Sequence, residues 1–203
     1  MGAQPVHPDD DDATLLSDLR EQVRATPPLR SGEQDTLLER SAVGDRASQE
    51  RVVAANLAMV LRLAEARHDR GLPLGDLVQE GSLGLVEAVR TFAAAGGGDF
   101  TTFAEKKIAE QMDAALAAEA AAVRDAEQLV TAANDYERTE ILLRKLHGRQ
   151  ATDAEIAEKL EWTVERTRYV AQVVADARRR QDEELLAFID PDSVEIDGTV
   201  DGE

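Results

Sequence analysis

The chain is predicted to be all-α, and three observations carry that expectation. None of its six prolines falls between Pro73 and Pro191, and no glycine falls between Gly98 and Gly148, so long stretches lack helix breakers. Apolar residues recur at three- and four-residue spacing. Two-residue alternation, the mark of half-buried strands, is scarce.

The elements follow in order. Residues 1–12 end in the charge run Asp9–Asp12, carry no apolar periodicity and are expected to be disordered. A short helix near 13–25 uses Leu15, Leu16, Leu19 and Val23 and stops before Pro27-Pro28. A second opens after Ser31, with Glu33 in its first turn, and runs through Leu37 and Leu38 to about Gly44. A third, about 46–69, repeats Val52, Val53, Leu57, Val60, Leu61 and Ala64 on helical spacing, and the turn from Arg70 to Gly75 ends it. A fourth, about 76–92, has Leu77, Val78, Gly81, Leu85, Val89 and Phe92 as its inner stripe. The stretch Ala93–Gly98 then reads as a flexible connection.

From Phe100 onward Ile108, Met112, Ala115, Leu116 and Val123 form the expected inward stripe. An unbroken helix over 101–147 would run roughly 70 Å at 1.5 Å per residue, so a bend or break is expected between about 124 and 135. Asp125, Asn134 and Asp135 offer caps there. Tyr136, Ile141, Leu142, Leu143 and Leu146 lead to His147-Gly148. Thr152-Asp-Ala-Glu155 is a capping box that opens a short helix through Ile156, Ala157 and Leu160. Thr163 opens a last helix with Tyr169, Val170 and Val173. These helices fit a plain three-helix bundle or a helix-turn-helix, and the pattern alone leaves both open. The expected organisation is a disordered acidic segment over 1–12, a core helical domain over 13–124, a small three-helix domain over 125–180 and an acidic tail over 181–203.

Composition narrows the function. There is no cysteine, which excludes thiolate metal sites, disulfides and cysteine nucleophiles. The chain lacks a signal-peptide pattern and any apolar run near the roughly 20 residues that span a bilayer, so a soluble cytoplasmic protein with no membrane partner is expected. With 41 acidic residues against 23 basic ones, the net charge of −18 repels nucleic acid and anionic membranes on average. His7, His68 and His147 are isolated, so no metal site is expected. Phosphate-cradling glycine loops and a nucleophile elbow are absent too, so neither an enzyme nor a cofactor is expected.

One constellation is specific. Asn56–Ala64 (NLAMVLRLA), Arg70–Val89 (RGLPLGDLVQEGSLGLVEAV), Phe92 and Phe100–Ala104 (FTTFA) together resemble the central domain of the bacterial sigma-seventy family of transcription initiation factors. The likeness extends upstream to Ala47. More weakly, the unit over 133–175 is similar to the family's next helical domain and Leu185–Asp190 to its acidic linker, about 170 residues in all. No counterpart of the family's C-terminal promoter-reading domain is expected.

The resemblance implies that Asp76, Leu77, Gln79, Glu80 and Leu83 dock on the clamp coiled coil of the largest subunit of core RNA polymerase. Asp76, Gln79 and Glu80 stand at i, i+3 and i+4, a spacing that puts two carboxylates and an amide on one helix face, suited to a partner's arginines. It also implies that the segment from Phe100 descends from the element that melts and reads the minus-ten promoter sequence. Phe100, Thr101, Thr102, Phe103, Lys106 and Lys107 are then candidates for residual nucleic-acid contact. Here the family's tryptophan pair is replaced by Lys106-Lys107 and its Arg-Gln by Ala109-Glu110, and the next Thr and Arg by Asp113 and Ala114. Eight acids face three bases from Asp99 to Asp135, which removes counterion-releasing cations and adds repulsion. The proline that follows this segment in the family gives way to Ala126, which would let the two helices run together.

Three functions stay open. The first is a sigma-like protein that binds core polymerase with lost or weakened minus-ten recognition, as regulator, competitor or half of a split factor. The others are a sigma mimic that sequesters an anti-sigma factor, and a divergent sigma factor with relaxed promoter specificity. The tail after Gln181, with nine acids and no base, would thread a basic polymerase channel or only aid solubility.

Overall fold

A computed structural model describes residues 8–188, all of whose regular elements are helices. Seven α-helices follow one another: α1 (Pro8–Ala25), α2 (Glu33–Ala42), α3 (Arg46–Glu65), α4 (Leu74–Thr91), α5 (Phe100–His147), α6 (Asp153–Leu160) and α7 (Val164–Phe188). A 3-10 turn at His68–Arg70 follows α3. The chain divides into two compact units between Ala122 and Val123. No helix of the described residues is long and apolar enough to cross a membrane.

Two helix ends lie beyond the expected ones. α1 begins at Pro8 and takes in the Asp9–Asp12 run. A proline without an N–H suits a first helical turn. α7 likewise continues through the first acids after Gln181 to Phe188, while Ile189 and Asp190 of the expected linker lie outside the described residues.

In the first unit α1, α2, α3, α4 and the start of α5 close around one core. Val52, Val60 and Ala64 of α3, Leu77, Leu85 and Ala88 of α4, and Ala104, Ile108 and Met112 of α5 are all fully excluded from water. Asp45 caps α3, accepting from the Ser48 N–H at 3.2 Å and the Ser48 hydroxyl at 2.9 Å. These bonds hold its carboxyl below the usual carboxylate range. Phe92 sits edge-on to Phe100 and Phe103, with ring centroids 5.2 and 5.5 Å away, and so pins the start of α5 to the end of α4.

The helix does not break between 124 and 135: α5 is one helix of 48 residues. Without a proline or glycine to interrupt the ladder, the alanine-rich stretch from Ala114 continues at little cost, and Asp125, Asn134 and Asp135 sit within the helix without ending it. Val123, expected to face inward, is 47% exposed and belongs to no core.

The second unit packs Ala132, Tyr136 and Leu143 of α5 against Ile156 of α6 and Val170 and Val174 of α7. The predicted capping box is present. Glu155 N–H donates to the Thr152 hydroxyl at 3.3 Å and Thr152 N–H to the Glu155 carboxylate at 2.8 Å. Arg149 adds a bidentate pair to the same carboxylate at 2.6 and 3.0 Å, and His147 lies 3.5 Å from it. The Arg149 guanidinium first, then the Thr152 N–H, hold the Glu155 carboxyl at about 2 instead of 4.5.

Because that value is depressed, the stabilisation it brings is complete above about pH 4.5 and is lost progressively as pH falls toward about 2. A carbon-13 titration of the Glu155 carboxyl is expected to show no inflection near pH 4.5; one at that pH would remove the box and the Arg149 pair together.

α6 ends at Glu161, which adopts a left-handed φ of 56°. A side chain there costs about 1–2 kcal/mol, partly offset by glycine's greater freedom when unfolded. Glu161→Gly is expected to stabilise the second unit by about 0.5–1 kcal/mol, read as a higher midpoint in urea unfolding.

Candidate docking face

α4 has two faces with different jobs. Leu77, Val78, Gly81, Gly84, Leu85, Ala88 and Val89 face the core, and all are buried. Asp76, Gln79, Leu83, Glu87 and Arg90 recur at three- and four-residue steps on the opposite side, and all are exposed. Leu83 is 59% exposed, a large apolar side chain in the middle of a polar stripe.

The five sequence candidates in this helix therefore separate. Asp76, Gln79 and Leu83 lie together on the exposed face. Leu77 does not: it is fully buried, because its place in the stripe with Gly81, Leu85 and Ala88 turns it inward, one helical step of about 100° from Asp76. It supports the face from beneath and is unavailable to a partner. Glu80 is half-buried and accepts a hydrogen bond from the Gln111 amide at 2.8 Å, which ties α4 to α5.

At the start of α5 the candidates for nucleic-acid contact are mostly engaged internally. Phe100 is buried, and the half-buried Phe103 ring packs on Phe92. Thr102 donates its N–H to Asp99 at 2.9 Å and its hydroxyl to the same carboxylate, so it completes the helix cap. These bonds hold the Asp99 carboxyl below its ordinary range. Thr101 is exposed. Lys106 is exposed and lies 3.8 Å from Glu110 one turn on, while Lys107 is half-buried.

The acids of α5 have partners that sequence reasoning did not foresee. Asp113 receives Arg67 through Nε at 3.1 Å and Nη2 at 3.4 Å, and Arg70 through Nη1 at 3.3 Å. The Arg67 hydrogen bond, then the charges of Arg67 and Arg70, hold the Asp113 carboxyl below the usual range against the opposing effect of burial. Arg62 pairs with Glu105. Partners 43 to 46 residues apart leave no local pattern to read. Among the described residues no cluster of three or more His, Asp or Glu is placed to hold a metal ion.

The class these features define is an all-helical scaffold whose fourth helix carries an exposed polar face with one apolar side chain, Leu83, in its middle. The sequence is more specific. Residues 52–112 match Sigma-70 region 2, a segment that contains α4, Arg62, Arg67 and Arg70, and the start of α5 as far as Met112. Over 128 residues the chain is 35% identical to the RNA polymerase sigma factor SigA of Synechocystis sp., covering 63% of this chain and 30% of that protein. The SigA of Microcystis aeruginosa is 31% identical over 166 residues, 77% of this chain and 40% of its own length. The SigA of a Bacillus species is 30% identical over 155 residues, 76% and 41% respectively. The chain belongs to the sigma-70 family, and it spans about three to four tenths of the length of these relatives.

Proposed function

We propose that this protein acts in transcription initiation as a sigma-like factor that binds core RNA polymerase through the exposed face of α4, with weakened minus-ten recognition. The observation that carries this is the placement of Asp76, Gln79 and Leu83 on one exposed face, inside the segment that matches Sigma-70 region 2. Asp76 and Gln79 offer a carboxylate and an amide to arginines of a partner helix, and Leu83 offers an apolar anchor between them. The family's clamp coiled coil on the largest polymerase subunit is the partner this chemistry fits.

Weakened promoter reading is supported by the start of α5. Phe100 is in the core, Phe103 packs edge-on against Phe92, and Thr102 completes a cap. Stacking a flipped base contributes roughly 1–3 kcal/mol, and a ring already packed on a neighbour offers only one side for it. Lysines stand where the family carries its tryptophans and supply charge without a stacking surface.

The test has two arms. Purified protein is expected to bind purified core polymerase, and changing the α4 face is expected to abolish binding. Core polymerase plus this protein is expected to give no promoter-specific transcript across a panel of promoters. A specific transcript as strong as a conventional sigma factor gives would overturn the weakened-recognition part, and absence of binding would overturn the docking part. Co-purification from native cells with a small anti-sigma protein in place of polymerase subunits would favour sequestration.

A further inference from the structure

α3, with the turn that follows it, meets α5 in the first unit across a seam of three guanidinium groups and two carboxylates. Arg62 engages Glu105, and Arg67 and Arg70 converge on Asp113. The Arg67 head is the fixed point: its side chain is 16% exposed, and its Nη1 also donates to the Leu63 carbonyl at 3.1 Å. Arg62, Arg70, Glu105 and Asp113 are all more than two-fifths exposed, so the seam lies open at the surface.

A carboxylate held by two parallel N–H donors of one guanidinium occupies the same fork that grips a phosphate. We propose that Glu105 and Asp113 act as built-in stand-ins for backbone phosphates: they occupy Arg62, Arg67 and Arg70 and so mask a nucleic-acid phosphate-binding surface on the end of α3 and the turn that follows it. The proposal rests on the reading that α5 leaves DNA largely alone, and it assigns a cause to that reading. The carboxylates are tethered to the same unit as the arginines, so a phosphate must compete with an intramolecular partner.

Exposed ion pairs typically stabilise a fold little, so the carboxylates can be neutralised without unfolding the unit. Neutralising them releases three cations. If each takes up one phosphate of a single strand, the slope of log affinity against log salt steepens by about 2, since each phosphate contributes about 0.7.

The test uses the full chain and a labelled 20-nucleotide single-stranded DNA, with binding read by fluorescence anisotropy at two salt concentrations. Glu105→Gln with Asp113→Asn is expected to bind at least ten times more tightly than the unaltered protein at low salt, and with the steeper slope. Adding Arg62→Ala, Arg67→Ala and Arg70→Ala is expected to remove that gain. Glu21→Gln with Glu39→Gln changes the net charge equally at exposed acids of α1 and α2, and less than a twofold gain is expected.

No gain in the first variant, or an equal gain in the charge-matched control, overturns the proposal. Should the double variant lose helical content, Asp113→Asn alone decides, with a gain of at least threefold expected and none counting against. Polymerase is absent from the assay, so failure here leaves the docking face of α4 untouched, and failure of docking leaves this result untouched.

Discussion

Gly84→Ala is expected to lower the stability of the first unit by about 2–3 kcal/mol, although helix propensity alone would make it stabilising by about 1 kcal/mol. The reason is the approach of α5. A Cβ on Gly84 would lie 2.8 Å from the Lys107 carbonyl oxygen and 2.9 Å from the Ile108 Cα, both backbone atoms. A helix backbone cannot swing aside as a side-chain tip can. Moving it would also displace Ile108 and Met112, which are fully buried against α4. Gly81 is a milder case, since its added Cβ meets the Met112 terminal methyl at 2.1 Å and a Val60 methyl at 2.9 Å. Methionine adapts, so about 1–2 kcal/mol is expected for Gly81→Ala. The check is thermal unfolding followed by circular dichroism. For a unit of roughly 100 residues the Gly84→Ala midpoint should fall by about 8–15 °C. A higher midpoint would mean that α4 and α5 do not approach this closely.

That close approach also marks the limit of what the sequence discloses. Gly81 was legible as part of the inner stripe of α4, because helical periodicity is a local property, whereas Gly84 was not singled out. Which helix they admit is not local. The same division holds for charge. The Thr152–Glu155 box could be read from four consecutive residues, whereas the Arg67–Asp113 pair depends on how α3 and α5 pack. Acids at 105 and 113, read without partners, suggested repulsion of DNA by bare charge. In the folded unit they are paired with three arginines, so the repulsion is weaker and the masking of arginines matters more. Boundaries failed for a related reason. Residues such as Asp125 and Asn134 can cap a helix or ride along its exposed side, and only competition with the intact hydrogen-bond ladder decides between them. Leu77 was a docking candidate only through the family resemblance, although the periodicity that identified the core already turned it inward.

Asp76→Arg combined with Gln79→Ala and Leu83→Ala is expected to weaken binding to core RNA polymerase at least 100-fold while leaving the thermal midpoint within about 2 °C. Three effects add in one direction. Reversing Asp76 sets an arginine against the partner's own cations, and such like-charge contacts cost several kcal/mol at an interface. Removing the Gln79 amide leaves donors on the partner unpaired, at about 1–3 kcal/mol if they are buried there. Truncating Leu83 forfeits the burial of a side chain that is now 59% exposed, about 1–2 kcal/mol. A 100-fold loss needs only about 2.7 kcal/mol, so the expectation holds even if the effects overlap. None of the three side chains makes a hydrogen bond or ion pair among the described residues, which is why the fold should not notice their loss. Glu80→Gln serves as the contrast. Its carboxylate is engaged by Gln111, so a loss of binding there would mix a change of face with a loosened α4–α5 contact. Biolayer interferometry with immobilised core enzyme separates the outcomes. Triple-variant binding within threefold of the unaltered protein would move the polymerase contact off α4 altogether.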